Sequence, residues 1–354
     1  YIKSIRLVIF DNPQSDISLA NNSKILEDAY LNGINVAINV AASEGIHIDT
    51  TIFFHSENVF EIMKKASDAK SDKPNIIMGF HSSNDFLMAK AFFGDQLVLS
   101  IAASDPKLAT LPANFYSLGV PDKIESNIII QFIKEHYINT NIFITLAAES
   151  KETVDFSNLL ANSYKEVSSS AAANKSEFLT EDMHIIKMDK FMTGYKPNDP
   201  IIIMPSGFSS GIALMNKIAA YLMPIKPIFI TASDNWGADN LPQPAQGAYD
   251  AYHIDTLSGG RNSKDYQVFA ENFEKLYHTP PKYTISYVTY RTVMSFVTAL
   301  IKYPPPKELN TTQAVVWSYQ QALKHDPNWF RPTEYVVYKL TPTKEVYFET
   351  LQQS

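Results

Sequence analysis

Residues 75–106, NIIMGFHSSNDFLMAKAFFGDQLVLSIAASDP, switch between strand and helix signals so tightly that few folds remain open. An apolar run, Asn75–Phe80, is followed by a polar turn, a helical stretch Asn84–Phe93, a second apolar run Gln96–Ala102 and another polar turn. Short apolar runs bounded by turn residues are how strands covered on both faces of a parallel sheet read. Each run ends in small hydroxyl residues before a helix start. Ser82 and Ser83 precede Asn84-Asp85, and Ser104 precedes Asp105-Pro106, where proline suits a first helical turn. Open parallel sheets bind ligands beyond the carboxyl ends of their strands, and helix N-termini present N–H groups to anions. The stretch is therefore expected to cradle a carboxylate. The plainer alternative is that its serines only cap helices.

The same alternation continues along the chain. Strands are expected at 5–10, 48–54, 141–147, 184–188, 200–204, 227–232 and 248–254, with a short extended segment at 115–118. Helices are expected at 18–43, 57–69, from 120 to about 136, 152–167 and 210–222, then near 264–278, 286–301 and 313–325. An antiparallel pair, 334–340 and 345–350, closes the chain across a Thr-Pro-Thr turn. Ser168–Asn174, SSSAAAN, reads as a mobile loop. This order predicts parallel sheets with helices on both faces. At 354 residues, two lobes are the default.

Composition narrows function more than fold. A net charge of −7 and arginine at only Arg6, Arg261, Arg291 and Arg331 argue against nucleic acid as partner. The absence of cysteine excludes disulfides, thiolate metal sites and a cysteine nucleophile. The eight histidines form no H-x-x-x-H or H-E-x-x-H pair, so sequence spacing predicts no metal site. No apolar run is long enough to span a bilayer. The sequence opens directly on its first strand, so an export signal is expected to have been removed or never present.

Five blocks in order carry a resemblance. They are the opening IRLVIFDNPQ…LNGINVAINVAASEGIHID; Gly79-Phe80-His81-Ser82-Ser83 with Ser100-Ile101-Ala102-Ala103-Ser104-Asp105-Pro106; Phe115 to Pro121-Asp122; Thr231-Ala232-Ser233-Asp234-Asn235-Trp236-Gly237; and FAENFEKLYHTPP with ISYVTYRTVMSFVTAL. Over nearly its whole length the chain resembles the type I periplasmic binding proteins, in the branch of the leucine/isoleucine/valine-binding proteins and amino-acid receptor ligand domains. The resemblance implies an α/β fold of two doubly wound parallel-sheet lobes joined by three crossover strands. Lobe one would span 1–120 plus 250–326, and lobe two 121–249 plus 327–354. The crossovers would lie near 118–121, 249–253 and 326–331. Hinge closure over a small ligand is the motion it implies.

By the same resemblance, Ser83 and Ser104, with the backbone of Ala102 and Ala103, would bind a ligand carboxylate. Asp122 and Asp234 would meet its ammonium, although each also reads as a local cap or turn residue. Phe208 falls near a family tyrosine and lacks its hydroxyl. His81 replaces a small or apolar residue and would narrow the cleft or add a donor. The implied protein is an extracytoplasmic, monomeric solute-binding protein without cofactor, periplasmic or lipid-anchored through an N-terminal segment. It would deliver an amino acid or related carboxylate to an ABC permease.

Two other readings stay open. Gly207-Phe208-Ser209-Ser210-Gly211 fits the G-x-S-x-G turn of a serine hydrolase, with Ser209 as nucleophile and Asp234 or Asp250 and His253 or His278 following in hydrolase order. Against it, no His-Gly-Gly oxyanion segment follows an early strand. A ligand-sensing receptor or accessory lipoprotein of the same fold, without a transporter, is the third reading. Glycine is sparse, 12 residues, which limits close backbone approach to a ligand.

Overall fold

The computed structural model describes residues 4–13, 23–56, 58–137, 142–147, 151–167, 172–174, 185, 187–193, 195–196, 198–206, 211–232, 247–256, 260–341 and 344–353. Its elements run β1 (Ser4–Asp11), α1 (Ser23–Ser43), β2 (His47–Phe54), α2 (Val59–Ser71), β3 (Ile76–Gly79), α3 (Ser83–Ala89), β4 (Leu97–Ser100), a 3-10 turn (Pro106–Thr110), β5 (Phe115–Ser117) and α4 (Asp122–His136). There follow β6 (Ile142–Ala147), α5 (Lys151–Val167), β7 (Ala172–Asn174), α6 (Met188–Phe191), β8 (Ile201–Ser206), α7 (Gly211–Leu222), β9 (Ile228–Ala232) and β10 (Asp250–Asp255). The last elements are α8 (Lys264–Tyr277), α9 (Thr284–Lys302), α10 (Thr311–His325), β11 (Glu334–Leu340) and β12 (Glu345–Gln352).

The chain divides into two compact units, Tyr1–Pro121 with Arg261–Pro332, and Asp122–Gly260 with Thr333–Ser354. It passes between them three times, at 121/122, 260/261 and 332/333. The expected division cut at 120/121, 249/250 and 326/327, so the second and third passages fall later than expected, the second by the most. The second difference has a physical origin: β10 pairs in parallel with β9 and antiparallel with β11, so its residues belong to the second sheet.

Unit one holds a five-stranded sheet in the order β2-β1-β3-β4-β5, parallel throughout. Its apolar strands carry both sheet faces. On one face, Val8, Phe10, Ile77 and Val98 pack with Ile62, Ala66 and Ala69 of α2 and Phe86 and Ala89 of α3. The helix α2 forms here because its apolar residues recur on one face and Asn58 accepts from the amides of Phe60 and Glu61. On α10, Asn310 and Gln313 close a reciprocal capping box. The helices α1 and α9 meet at Gly33. A Cβ there would lie 1.9 Å from the Ser286 carbonyl oxygen. The approach lets Ser286 Oγ donate to the Ala29 carbonyl at 2.7 Å and Thr289 Oγ1 to that of Tyr30 at 2.8 Å.

Unit two holds a seven-stranded sheet, β12-β11-β10-β9-β8-β6-β7. It is parallel except where β11 pairs antiparallel with β10 and β12. Its core gathers Ile144, Leu146, Ile201 and Ile203 against Leu214, Met215 and Ile218 of α7.

Two local expectations change. Among the described residues of the strand expected at 184–188, none is extended: 185 is helical, and Met188 opens the short helix α6 with its side chain buried in the unit-two core, while 184 and 186 lie outside the described residues. The loop expected at 168–174 ends in β7, whose Ala172, Ala173 and Asn174 extend the sheet beside β6. Alanine is a weak strand former, and pairing at the sheet edge overrides propensity.

Gly33→Ala is expected to destabilise unit one by about 2 kcal/mol or more, the scale of an overpacked core. Chemical denaturation should show a lower midpoint at unchanged slope.

Candidate functional site

The strand order of unit one places a topological switch between β1 and β3, because the chain runs outward from β1 in both directions. Ligands of open α/β sheets bind at such a point, beyond the carboxyl ends of the strands. Two residues emerge there, Asp11 from β1 and His81 just past β3.

Asp11 is buried, 1% exposed, and would be costly to ionise alone. Four donors surround it. Tyr30 Oη of α1 donates to Oδ2 at 2.9 Å, and His81 Nδ1 lies 2.8 Å from the same oxygen. The amides of Asn12 and His81 donate to Oδ1 at 2.8 and 3.1 Å. Burial by itself raises the carboxyl pKa, but the charge and hydrogen bonds of His81, with the Tyr30 hydroxyl, outweigh it and leave Asp11 below its ordinary value. Burial, then the Asp11 charge, push the Tyr30 phenol well above its ordinary range. His81 reaches Asp11 because the backbone turns left-handed at Gly79 and Phe80, with φ of 144° and 61°. A Cβ on Gly79 would lie 2.2 Å from the Phe10 carbonyl oxygen. At Phe80 the conformation is strained for a bulky residue, and burial of its ring against Phe10 and Phe86 holds it.

Beside this cluster two serines organise the ends of β3 and β4. Ser100 Oγ accepts from the amides of Ala102 and Ala103 at 3.3 and 2.8 Å and donates to the Phe80 carbonyl at 2.7 Å. Ser83 Oγ, 5% exposed, accepts from the amides of Ser104 and Asp105 at 3.0 and 3.2 Å. A hydroxyl has two acceptor sites and one proton. Ser83 has filled both acceptor sites, and its own proton has no acceptor among the described residues. The cap of α3 is Ser82, which accepts from Asp85 N at 3.1 Å. The start of the 3-10 turn is capped by the Asp105 carboxylate, which accepts from Lys107 N at 2.7 Å.

The structure thus gathers His81, Ser83, Ala102, Ala103 and Ser104 in unit one. The amides of Ala102 and Ala103, expected from the resemblance to meet a carboxylate, donate to Ser100 Oγ. Asp122 is the first residue of α4 in unit two. Phe208, Ser209 and Asp234 lie outside the described residues. Of the hydrolase histidines, His253 is buried within β10 and stacks on Tyr338, and His278 ends α8 in a left-handed cap with φ of 57°. Sequence reasoning missed Asp11 and Tyr30, and quoted Ser100 only as the start of a block without a role. The one available signal was an aspartate closing the apolar run of β1, IRLVIFD.

Asp11→Asn is expected to destabilise unit one by about 3–5 kcal/mol, the scale of breaking a buried charge pair. A carboxyl with a lowered folded pKa stabilises above its unfolded value and loses that contribution as pH falls through the folded one. Acid unfolding of the wild type should therefore draw on Asp11 only below its ordinary pKa of 3.8. The variant's stability should be flatter there, as pH-jump denaturation would measure.

No family model matches the sequence, and no curated protein matches it. Solved structures do. An ABC transporter substrate-binding protein from Sphaerobacter thermophilus superposes with a TM-score of 0.76 at 11% identity, covering 99% of this chain and 98% of that one. The branched-chain amino acid transporter substrate-binding protein LivJ from Streptococcus pneumoniae, in complex with isoleucine, gives 0.71 at 15%, covering 99% and 100%. A solute-binding protein of an ABC transporter from Rhodopseudomonas palustris, in complex with 3,4-dihydroxybenzoic acid, gives 0.73 at 13%, covering 99% and 98%. Each is a binding protein by name and none an enzyme. Two α/β units, one sheet wholly parallel and the other mostly so, three chain passages between them and end-to-end similarity to these proteins together give this chain the type I periplasmic-binding-protein fold.

Proposed function

We propose that the chain is a solute-binding protein that takes a small carboxylate, an amino acid or an aromatic acid, and delivers it to an ABC permease. The observation that carries the reading is Ser83. Its buried hydroxyl already accepts two amides and has a proton to give, beyond the ends of β3 and β4. A carboxylate oxygen is the natural acceptor, because an O–H bond to an anion is among the stronger hydrogen bonds. The two amides polarise the hydroxyl toward donation, which strengthens that bond further. Ser104, half-buried beside it, supplies a second hydroxyl. Ser100, with its proton committed to the Phe80 carbonyl, is structural. In this reading Asp122, Asp234, Phe208 and His81 complete recognition, an ammonium being met by the two aspartates when the ligand has one. The similar proteins bound to isoleucine and to 3,4-dihydroxybenzoic acid support the ligand range, since their shared group is a carboxyl.

The test is a thermal-shift panel of isoleucine, leucine, benzoate and 3,4-dihydroxybenzoate, each beside its amide. A ligand that binds only the native state raises its melting temperature by mass action. At least one acid is expected to shift it and its amide to fail; equal shifts from acid and amide would remove the carboxylate. Ser104→Ala should weaken that acid about tenfold, a loss of about 1.4 kcal/mol, at unchanged stability. Ser83→Ala should weaken it too, but also destabilise the fold by about 1–3 kcal/mol because two buried amides lose their acceptor. Asp234→Asn should reduce affinity for amino acids and leave benzoate unaffected. A fluorophosphonate probe should leave Ser209 unlabelled, since labelling lost in Ser209→Ala would mark a hydrolase.

A further inference from the structure

The last turn of α4 and the edge strand β12 bring together three metal-ligating side chains that are far apart in sequence. Glu135, His136 and Glu349 each contribute one donor atom, and these atoms all lie within 4.8 Å of one another. His136 Nε2 stands 2.7 Å from Glu349 Oε1, and Gln131 Nε2 donates to Glu135 Oε1 at 2.9 Å. The imidazole is held in place by its surroundings. Its centroid lies 4.9 Å from that of Phe132 on α4 and 5.1 Å from that of Phe348 on β12. Packing between two rings restricts the orientations open to the imidazole. Among the described residues, no lysine or arginine lies within ion-pair distance of either glutamate; the histidine is the partner within reach of Glu349. The group also sits at the C-terminal end of α4, where the helix dipole favours a cation.

We propose that Glu135, His136 and Glu349 form a surface site for one divalent ion of the zinc class, tying β12 to α4. One imidazole and two carboxylates suit Zn²⁺, whereas Mg²⁺ and Ca²⁺ prefer oxygen donors alone. The ion takes the Nε2 lone pair, so any proton between Nε2 and Glu349 passes to solvent. Histidine spacing along the chain could not reveal the site, because its third donor is a glutamate from another element.

The experiment is a calorimetric titration of the EDTA-treated, desalted full chain with ZnCl₂ in a non-coordinating buffer. Thermal unfolding is run alongside, with and without the ion. One Zn²⁺ per chain and a raised melting temperature reversed by EDTA are expected. His136→Ala should weaken binding by more than about tenfold, since even the loss of an outer partner of a metal ligand costs that much. Glu135→Gln, a change at an exposed position that leaves the aromatic packing intact, should weaken it severalfold with an unaltered circular dichroism spectrum. His47→Ala, which removes an exposed histidine paired with Asp49 in the other unit, should change nothing. Absence of saturable binding, or equal affinity in wild type, His136→Ala and Glu135→Gln, would overturn the site.

Discussion

One buried carboxylate governs the end of the unit-one sheet. Ionised Asp11 is tolerable in the interior only if every lone pair is met, and its partners come from three places: the residue just after its own strand, α1 and the turn after β3. Meeting Oδ1 with the amide of His81 forces the chain to double back immediately after β3. That forces the left-handed pair Gly79 and Phe80, and the bulk of Phe80 then has to be buried to hold the strain. The aromatic packing of Phe10, Phe80 and Phe86 is thus the apolar counterpart of a polar requirement. The tyrosine that completes the set belongs to α1, whose close contact with α9 at Gly33 fixes its height.

Next to this fixed point the serines divide into two kinds by their protons. Ser100 and Ser117 donate to carbonyls while accepting amides, so each closes a local circuit. Ser83 accepts two amides and donates to no acceptor among the described residues. The contrast distinguishes three chemically identical side chains by their hydrogen-bond roles, which burial alone would not do.

Much of the fold was legible because apolar strands covered on both faces leave continuous runs, and the helices between them carry a one-sided stripe. What failed was short and context-dependent: α6, whose Met188 is drawn into the core, and β7, which is strand only because β6 offers it an edge. At the site, the serines after β3 and β4 were visible as residues, but their roles were not. Ser82 and Ser83 are equivalent as letters, and only the geometry makes one a cap and the other a bridge between loops. The Asp11–His81 pair joins positions 70 apart and leaves no local pattern to read.

The hydroxyl bridges also bear on how the sheet frays. Beyond the last paired residues of β4 and β5, the amides of Ala102, Ala103, Ser104, Asp105 and Gly119 are closed by side chains instead of ladder carbonyls. Slow hydrogen exchange should therefore extend several residues past the formal strand ends, because opening those amides requires moving buried serines. The loops beyond the ends of β4 and β5 would then share the cooperativity of the sheet, a rigid wall built from segments that by secondary structure alone count as coil.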